Sequence, residues 1–111
     1  LRDFNYVDDC VEALLLAGAN NNANGRVYNL GSSEIICLSD LAEIMINLGV
    51  SGKYELEPFP TERKAIDIGD YYSDYSLITK ELGWAPKIDL RDGLKRTLNY
   101  YREHFSHYWD K

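Results

Sequence analysis

The run from Leu82 to Tyr108 restricts the fold of this chain more than any other stretch. Leu82-Gly83-Trp84-Ala85-Pro86 ends one helix and prevents its continuation. Glycine suits the left-handed position after a helix end, and proline has no amide to carry a helix onward. Trp84 is placed to pack back onto Ile78 in the Schellman manner. Asp89 then caps another helix, along which Leu90, Leu94, Leu98, Tyr101, Phe105 and Tyr108 recur at steps of four or three. Arg91, Lys95, Arg102 and Glu103 fall on its other faces. The pattern predicts an amphipathic helix that closes the core, each buried leucine contributing about 1.5–3 kcal/mol.

Upstream, short elements alternate with turns. Arg2 to Val7 has extended character, with Phe4, Tyr6 and Val7 as its apolar members. Asp9 and Glu12 have capping-box spacing, and Val11, Leu14, Leu15 and Gly18 recur at helical intervals, predicting a helix over Asp9 to Gly18. Asn24-Gly25 is a turn, and Arg26 to Leu30 reads as a buried strand running into Gly31-Ser32-Ser33. Ile35 to Leu38 is a second apolar run. Ser39 caps a helix with Leu41, Ile44, Met45 and Leu48 on one face, ended by Gly49. Lys53 to Leu56 alternates as a strand would, until Pro58 and Pro60 stop it. Residues 61 to 75 read as a loop with a short extended piece at Ala65 to Ile68, followed by a helix from Asp74 to Leu82. The fold class expected is α/β: short strands and about four helices in one domain spanning residues 1–111.

Charge narrows the ligands. The formal net charge is −6 and the isoelectric point about 4.8. With no basic stripe to offset that charge, nucleic acid is excluded as a partner. No apolar run has the length of a membrane span, and no signal peptide is expected. Cys10 and Cys37 are isolated thiols without zinc spacing, which fits a reducing, cytoplasmic setting. The chain starts at Leu1, directly before patterned sequence, as a cut inside a longer protein would leave it.

In so acidic a chain, clustered cations are informative. Arg63-Lys64 can hold a diphosphate through charge-assisted hydrogen bonds, or form an ordinary solvated pair. Asp67 can fix the cation, bond a sugar hydroxyl, or serve a turn. Arg2, at a strand end, can reach a ligand or a neighbouring carboxylate. Asp8 and Asp9 are explained by helix capping. Asp67, Asp70 and Asp74 lack the spacing of a calcium loop, and His104 with His107 lacks a third ligand, so no metal site is expected. No catalytic residue is assigned. There is no glycine-rich dinucleotide or phosphate loop, and no tyrosine has a lysine four residues later.

Arg2-Asp3-Phe4-Asn5-Tyr6-Val7-Asp8-Asp9, Val27-Tyr28-Asn29-Leu30-Gly31, Ser39-Asp40-Leu41-Ala42-Glu43, Leu82-Gly83-Trp84-Ala85-Pro86 and Leu90-Arg91-Asp92-Gly93-Leu94 occur in this order. Together they resemble the C-terminal half of the extended short-chain dehydrogenases/reductases, the nucleotide-sugar epimerases and dehydratases. The resemblance implies a small C-terminal nucleotide-sugar-binding domain truncated from a Rossmann-fold enzyme of carbohydrate metabolism, first of all a UDP-sugar 4-epimerase, an isomerase. It implies NAD(P) as cofactor of the whole protein, bound by the missing N-terminal Rossmann domain and not by this chain. That missing domain would also carry the catalytic tyrosine and lysine.

The family resemblance implies that Arg2 contacts the diphosphate. It implies a second contact from an Arg-x-Gly-Asp pattern, whose aspartate meets the ribose. Here the pattern is altered. Aligned back from Leu82-Gly83-Trp84, Lys64 takes the arginine position, Ile66 the glycine and Asp67 the aspartate, while a shift would bring in Arg63. Lysine would replace a bidentate fork with a point charge. A reading from another class is an inert protein-interaction module using the Tyr/Asp-rich tract at residues 70 to 75.

Overall fold

The computed structural model describes residues 1–49 and 52–109. Among them helices dominate. Strand β1 (Arg2–Asp3) pairs antiparallel with β2 (Ile35–Ile36), Arg2 opposite Ile36 and Asp3 opposite Ile35. On its other side Arg2 makes a parallel bridge to Tyr71. The helices are α1 (Val7–Ala19), α2 (Leu38–Gly49), α3 (Thr61–Lys64), α4 (Ser76–Leu82), α5 (Leu90–Glu103) and α6 (Phe105–Tyr108), with a 3-10 turn at Asn21–Ala23. The α/β expectation therefore reduces to a helix-rich fold around one minimal strand pair.

The expected strands at Arg26 to Leu30 and Lys53 to Leu56 are not formed. No neighbouring strand among the described residues supplies a ladder to either, and Val27 and Leu56 are exposed. Tyr28 is instead half-buried against the core cluster. The extended piece expected at Ala65 to Ile68 forms no strand, Ala65 and Ile66 making a turn after the unanticipated α3. There the Pro60 carbonyl accepts from the amides of Arg63 and Lys64 at 3.0 and 2.9 Å. Proline suits the position before a short helical turn because it needs no donor of its own.

Asp9 does not cap α1. The helix starts two residues earlier, and Asp9 lies inside it, 2% exposed. The residues that recur at helical intervals are not the ones the structure buries. Asp9, Ala13 and Leu16 face inward, whereas Leu14 and Leu15 are 71% and 68% exposed. The inward face is chosen by what it meets: the Asp9 carboxylate accepts from the amides of Lys87 and Ile88 at 3.1 Å, and its carbonyl accepts from Trp84 Nε1.

Gly83 takes the left-handed conformation expected at the end of α4, with φ 73° and its amide donating to the Thr79 carbonyl. Trp84 packs with Ile78 and Ala13 as the buried core. Helix α4 starts at Ser76, not Asp74, because the Asp74 carboxylate accepts from the Ser76 amide at 2.8 Å from outside the helix. Ser39 lies within the first turn of α2, its Oγ 3.1 Å from Cys37 Sγ.

Asp89 caps α5 as expected, accepting from the Asp92 amide at 2.7 Å, and Glu34 accepts from the Leu90 amide at 2.6 Å. The helix breaks at His104, before the expected end at Tyr108. Leu90, Leu94 and Leu98 are only half-buried, so α5 packs on α2 without forming the centre of the core. Arg102 closes that contact by donating to the Gly49 carbonyl at the end of α2, 3.2 Å away.

The radius of gyration is 17.1 Å. A compact domain of this length has about 13 Å. With buried apolar residues confined to Ala13, Ile78 and Trp84 among the described residues, the fold is open and its core small.

Candidate functional site

Strand β1 and the tract after α3 bring two of the expected site residues together. Arg2 lies 3.7 Å from the Asp67 carboxylate, both side chains partly exposed. Its guanidinium also donates to the Gly69 carbonyl and, at 3.2 Å, to the Leu1 carbonyl. Asp67 accepts from the Gly69 amide at 3.0 Å, closing a turn in which Gly69 has φ 70°. That positive φ is one a side chain would oppose, so glycine keeps its carbonyl turned toward Arg2. A guanidinium has five donors, and these partners leave some of them for an anion.

Arg63 and Lys64 end α3 and are exposed, with no side-chain ion pair or hydrogen bond among the described residues. Ala65 and Ile66 separate them from Asp67 in the chain. No hydrogen bond or ion pair joins them to Arg2 among the described residues. The geometry thus assembles Arg2 with Asp67 and leaves the cation pair as an open flank.

Sequence reasoning passed over the residues that hold this arrangement. Asp3 Oδ2 accepts from the amides of Ser32 and Ser73, each at 3.1 Å. The Asn5 side-chain amide donates to the Gly31 carbonyl at 2.7 Å. The available signal was the alternation of Arg2, Asp3 and Asn5 on an extended stretch, which places residues 3 and 5 on one side.

In the tyrosine-rich tract, Tyr75 packs edge-on to Trp84 with centroids 5.8 Å apart, while Tyr71 and Tyr72 are half exposed. In the last turn of α4, Arg26 and Tyr28 converge on Glu81. Arg26 forks onto both carboxylate oxygens at 3.1 and 2.5 Å, and the Tyr28 hydroxyl donates at 2.8 Å. The Arg26 bond, then that of Tyr28, holds the Glu81 carboxyl below its ordinary range. Burial and the Glu81 carboxylate raise the Tyr28 phenol. This cluster ties the Arg26 to Tyr28 segment to α4 and is structural.

Gly31, buried at a turn, is filled in by Asp3 and Ser73 and offers no open backbone cradle. No group of His, Cys, Asp or Glu among the described residues is arranged to hold a metal. No helix among them is long and apolar enough to cross a membrane.

The class defined by this fold and site emerges from its relatives. The chain is 33% identical over 118 residues to UDP-glucuronate 4-epimerase 4 of Arabidopsis thaliana, covering 95% of this chain and 26% of that protein. It is 32% identical over 110 residues to dTDP-glucose 4,6-dehydratase of Streptomyces griseus, covering 99% and 32%. The crystal structure of UDP-glucose 4-epimerase with UDP-glucose from Thermotoga maritima superposes with a TM-score of 0.78 at 30% identity, covering 93% of this chain and 32% of that one. No protein-family model matches.

In sequence and in fold, the chain is therefore related to the C-terminal part of the extended short-chain dehydrogenases/reductases of nucleotide-sugar metabolism. It spans about a quarter to a third of the length of these relatives.

Proposed function

We propose that this chain is the nucleotide-sugar-binding part of an NAD-dependent nucleotide-sugar epimerase or dehydratase, in the first instance a cytoplasmic UDP-sugar 4-epimerase. Arg2 and the Arg63-Lys64 pair hold the diphosphate, and Asp67 positions Arg2 or meets the ribose. The observation that carries this reading is the meeting of Arg2 on β1 and Asp67 in the tract after α3, at 3.7 Å. The chain supplies affinity and orientation. It carries no hydride or proton-transfer step, and residues 1 to 111 alone are expected to bind no NAD.

The partner in this reading is an N-terminal Rossmann domain. The bare Leu14 and Leu15 face of α1, the exposed Val27 and the small core support it, because apolar surface of that extent is what an intramolecular interface covers.

The test is calorimetric titration of UDP- and dTDP-sugars into the full protein and its Arg2→Ala and Lys64→Ala variants. Loss of a charge-assisted phosphate contact weakens binding by about 1.5–3 kcal/mol. Unchanged affinity in both variants would remove the site assignment.

Half exposure of Tyr71 and Tyr72 favours a second reading, an inert interaction module. Under it, Tyr71→Ser and Tyr72→Ser abolish binding of a protein partner and Arg2→Ala changes nothing.

A further inference from the structure

Asp3 joins stretches of chain that lie far apart in sequence. One of its carboxylate oxygens, Oδ2, takes both the Ser32 and the Ser73 amide. Gly31 is packed so tightly into the same junction that a methyl group there would lie 2.7 Å from Oδ2 and 2.8 Å from the Ser73 carbonyl. Asn5 secures the turn from the same side of the extended chain.

Successive side chains of an extended strand point to opposite sides. Arg2 is therefore turned away from this junction, toward Asp67 and Gly69. The backbone of Arg2 bridges Tyr71, and Ser73 lies two residues beyond. Where Ser73 is pinned decides where the tract carrying Asp67 and Gly69 runs beside Arg2.

We infer that Asp3 is the positioning residue of the diphosphate site: through the Ser73 amide and the closed Gly31 turn it sets the placement of Asp67 against Arg2, without touching ligand. The inference deepens the assignment of Arg2 as a phosphate contact and rests on it. A carboxylate oxygen serving two donors is a stronger acceptor than a neutral amide oxygen of the same shape. Asparagine should accordingly preserve part of the effect and alanine none.

The experiment titrates UDP and uridine, separately, into the full protein and its Asp3→Ala, Asp3→Asn and Arg2→Ala variants. Asp3→Ala should weaken UDP about tenfold or more. Uridine, which has no phosphate, should stay within about twofold. Asp3→Asn should recover part of the UDP affinity. Unchanged UDP affinity in Asp3→Ala, or an equal loss for UDP and uridine, overturns the positioning role. If Asp3→Ala does not fold, Asp3→Asn decides by the same UDP-to-uridine split. Arg2→Ala separates the two readings. If it leaves UDP binding intact, the diphosphate assignment fails and the positioning role with it. If it weakens UDP while the Asp3 variants do not, only the positioning role falls.

Discussion

The Trp84 indole donates to the Asp9 carbonyl at 2.9 Å, joining the segment after α4 to the first turn of α1 inside the small core. The Asp9 carboxylate completes the contact by accepting from Lys87 and Ile88. Trp84 is fully buried, so Trp84→Ala should destabilise the chain by about 3–5 kcal/mol. Trp84→Phe, which removes the donor and retains an aromatic ring, should cost about 1 kcal/mol from the hydrogen bond. Urea unfolding followed by circular dichroism measures both, and an unchanged stability of Trp84→Phe would show that the N–H has no separate role.

Asp9→Ala should cost about 3 kcal/mol, because it strands two amides whose acceptor is a buried carboxylate. Glu12→Ala, which removes only the exposed bond from Lys87 Nζ at 2.7 Å, should cost far less, since solvent screens the pair. The same denaturation series compares them. A larger loss for Glu12→Ala would contradict the burial argument.

Glycine-to-alanine changes should have opposite signs at two positions. Gly83 has φ 73°, so Gly83→Ala should lower stability by about 1 kcal/mol. Gly18 is helical with open space around it, and Gly18→Ala should raise stability by about 0.5 kcal/mol. Thermal melts of the two variants against the wild type provide the readout.

Arg26 and Glu81 predict a pH dependence. Because the folded-state pKa of Glu81 is lowered, first by Arg26 and then by Tyr28, its stabilisation is fully present above the ordinary carboxylate pKa of about 4.3. It is lost as pH falls through the lowered folded value. The melting-temperature gap between wild type and Arg26→Gln should be widest near neutrality and close in acid. A gap that widens on acidification would reverse the sign.

Helix α1 offers a test of its bare face. Leu14→Ser should change the stability of the chain alone by less than about 0.5 kcal/mol, since that side chain is 71% exposed. In the full protein the same change should lower the melting temperature, as expected where a partner domain covers it. Equal effects in both would place the side chain outside any interface.

Local chemistry was legible wherever it is settled within a few residues. Gly83 and Pro86 specify a helix stop through backbone geometry, and Asp89 caps α5 through a bond only three residues long. Helical periodicity likewise located α1, α2, α4 and α5. Arg2 and Asp67 were each legible as charged candidates, but their meeting was not, because it depends on Arg2 sitting between Ile36 and Tyr71.

What only the tertiary structure decided was direction and partnership. Capping-box spacing placed Asp9 at the start of α1, whereas it lies inside the helix, and the recurrence of Val11, Leu14, Leu15 and Gly18 did not say which face turns inward. The inward face is set by Trp84, Lys87 and Ile88, whose amides and indole need the oxygens of Asp9. Arg26 to Leu30 alternates as a strand, yet a strand exists only with a neighbour to share its hydrogen bonds. The sequence by itself determined where helices stop, which charges stand together and which ordered motifs relate the chain to nucleotide-sugar enzymes. Burial and long-range pairing, which depend on residues distant along the chain, determined which of those charges meet.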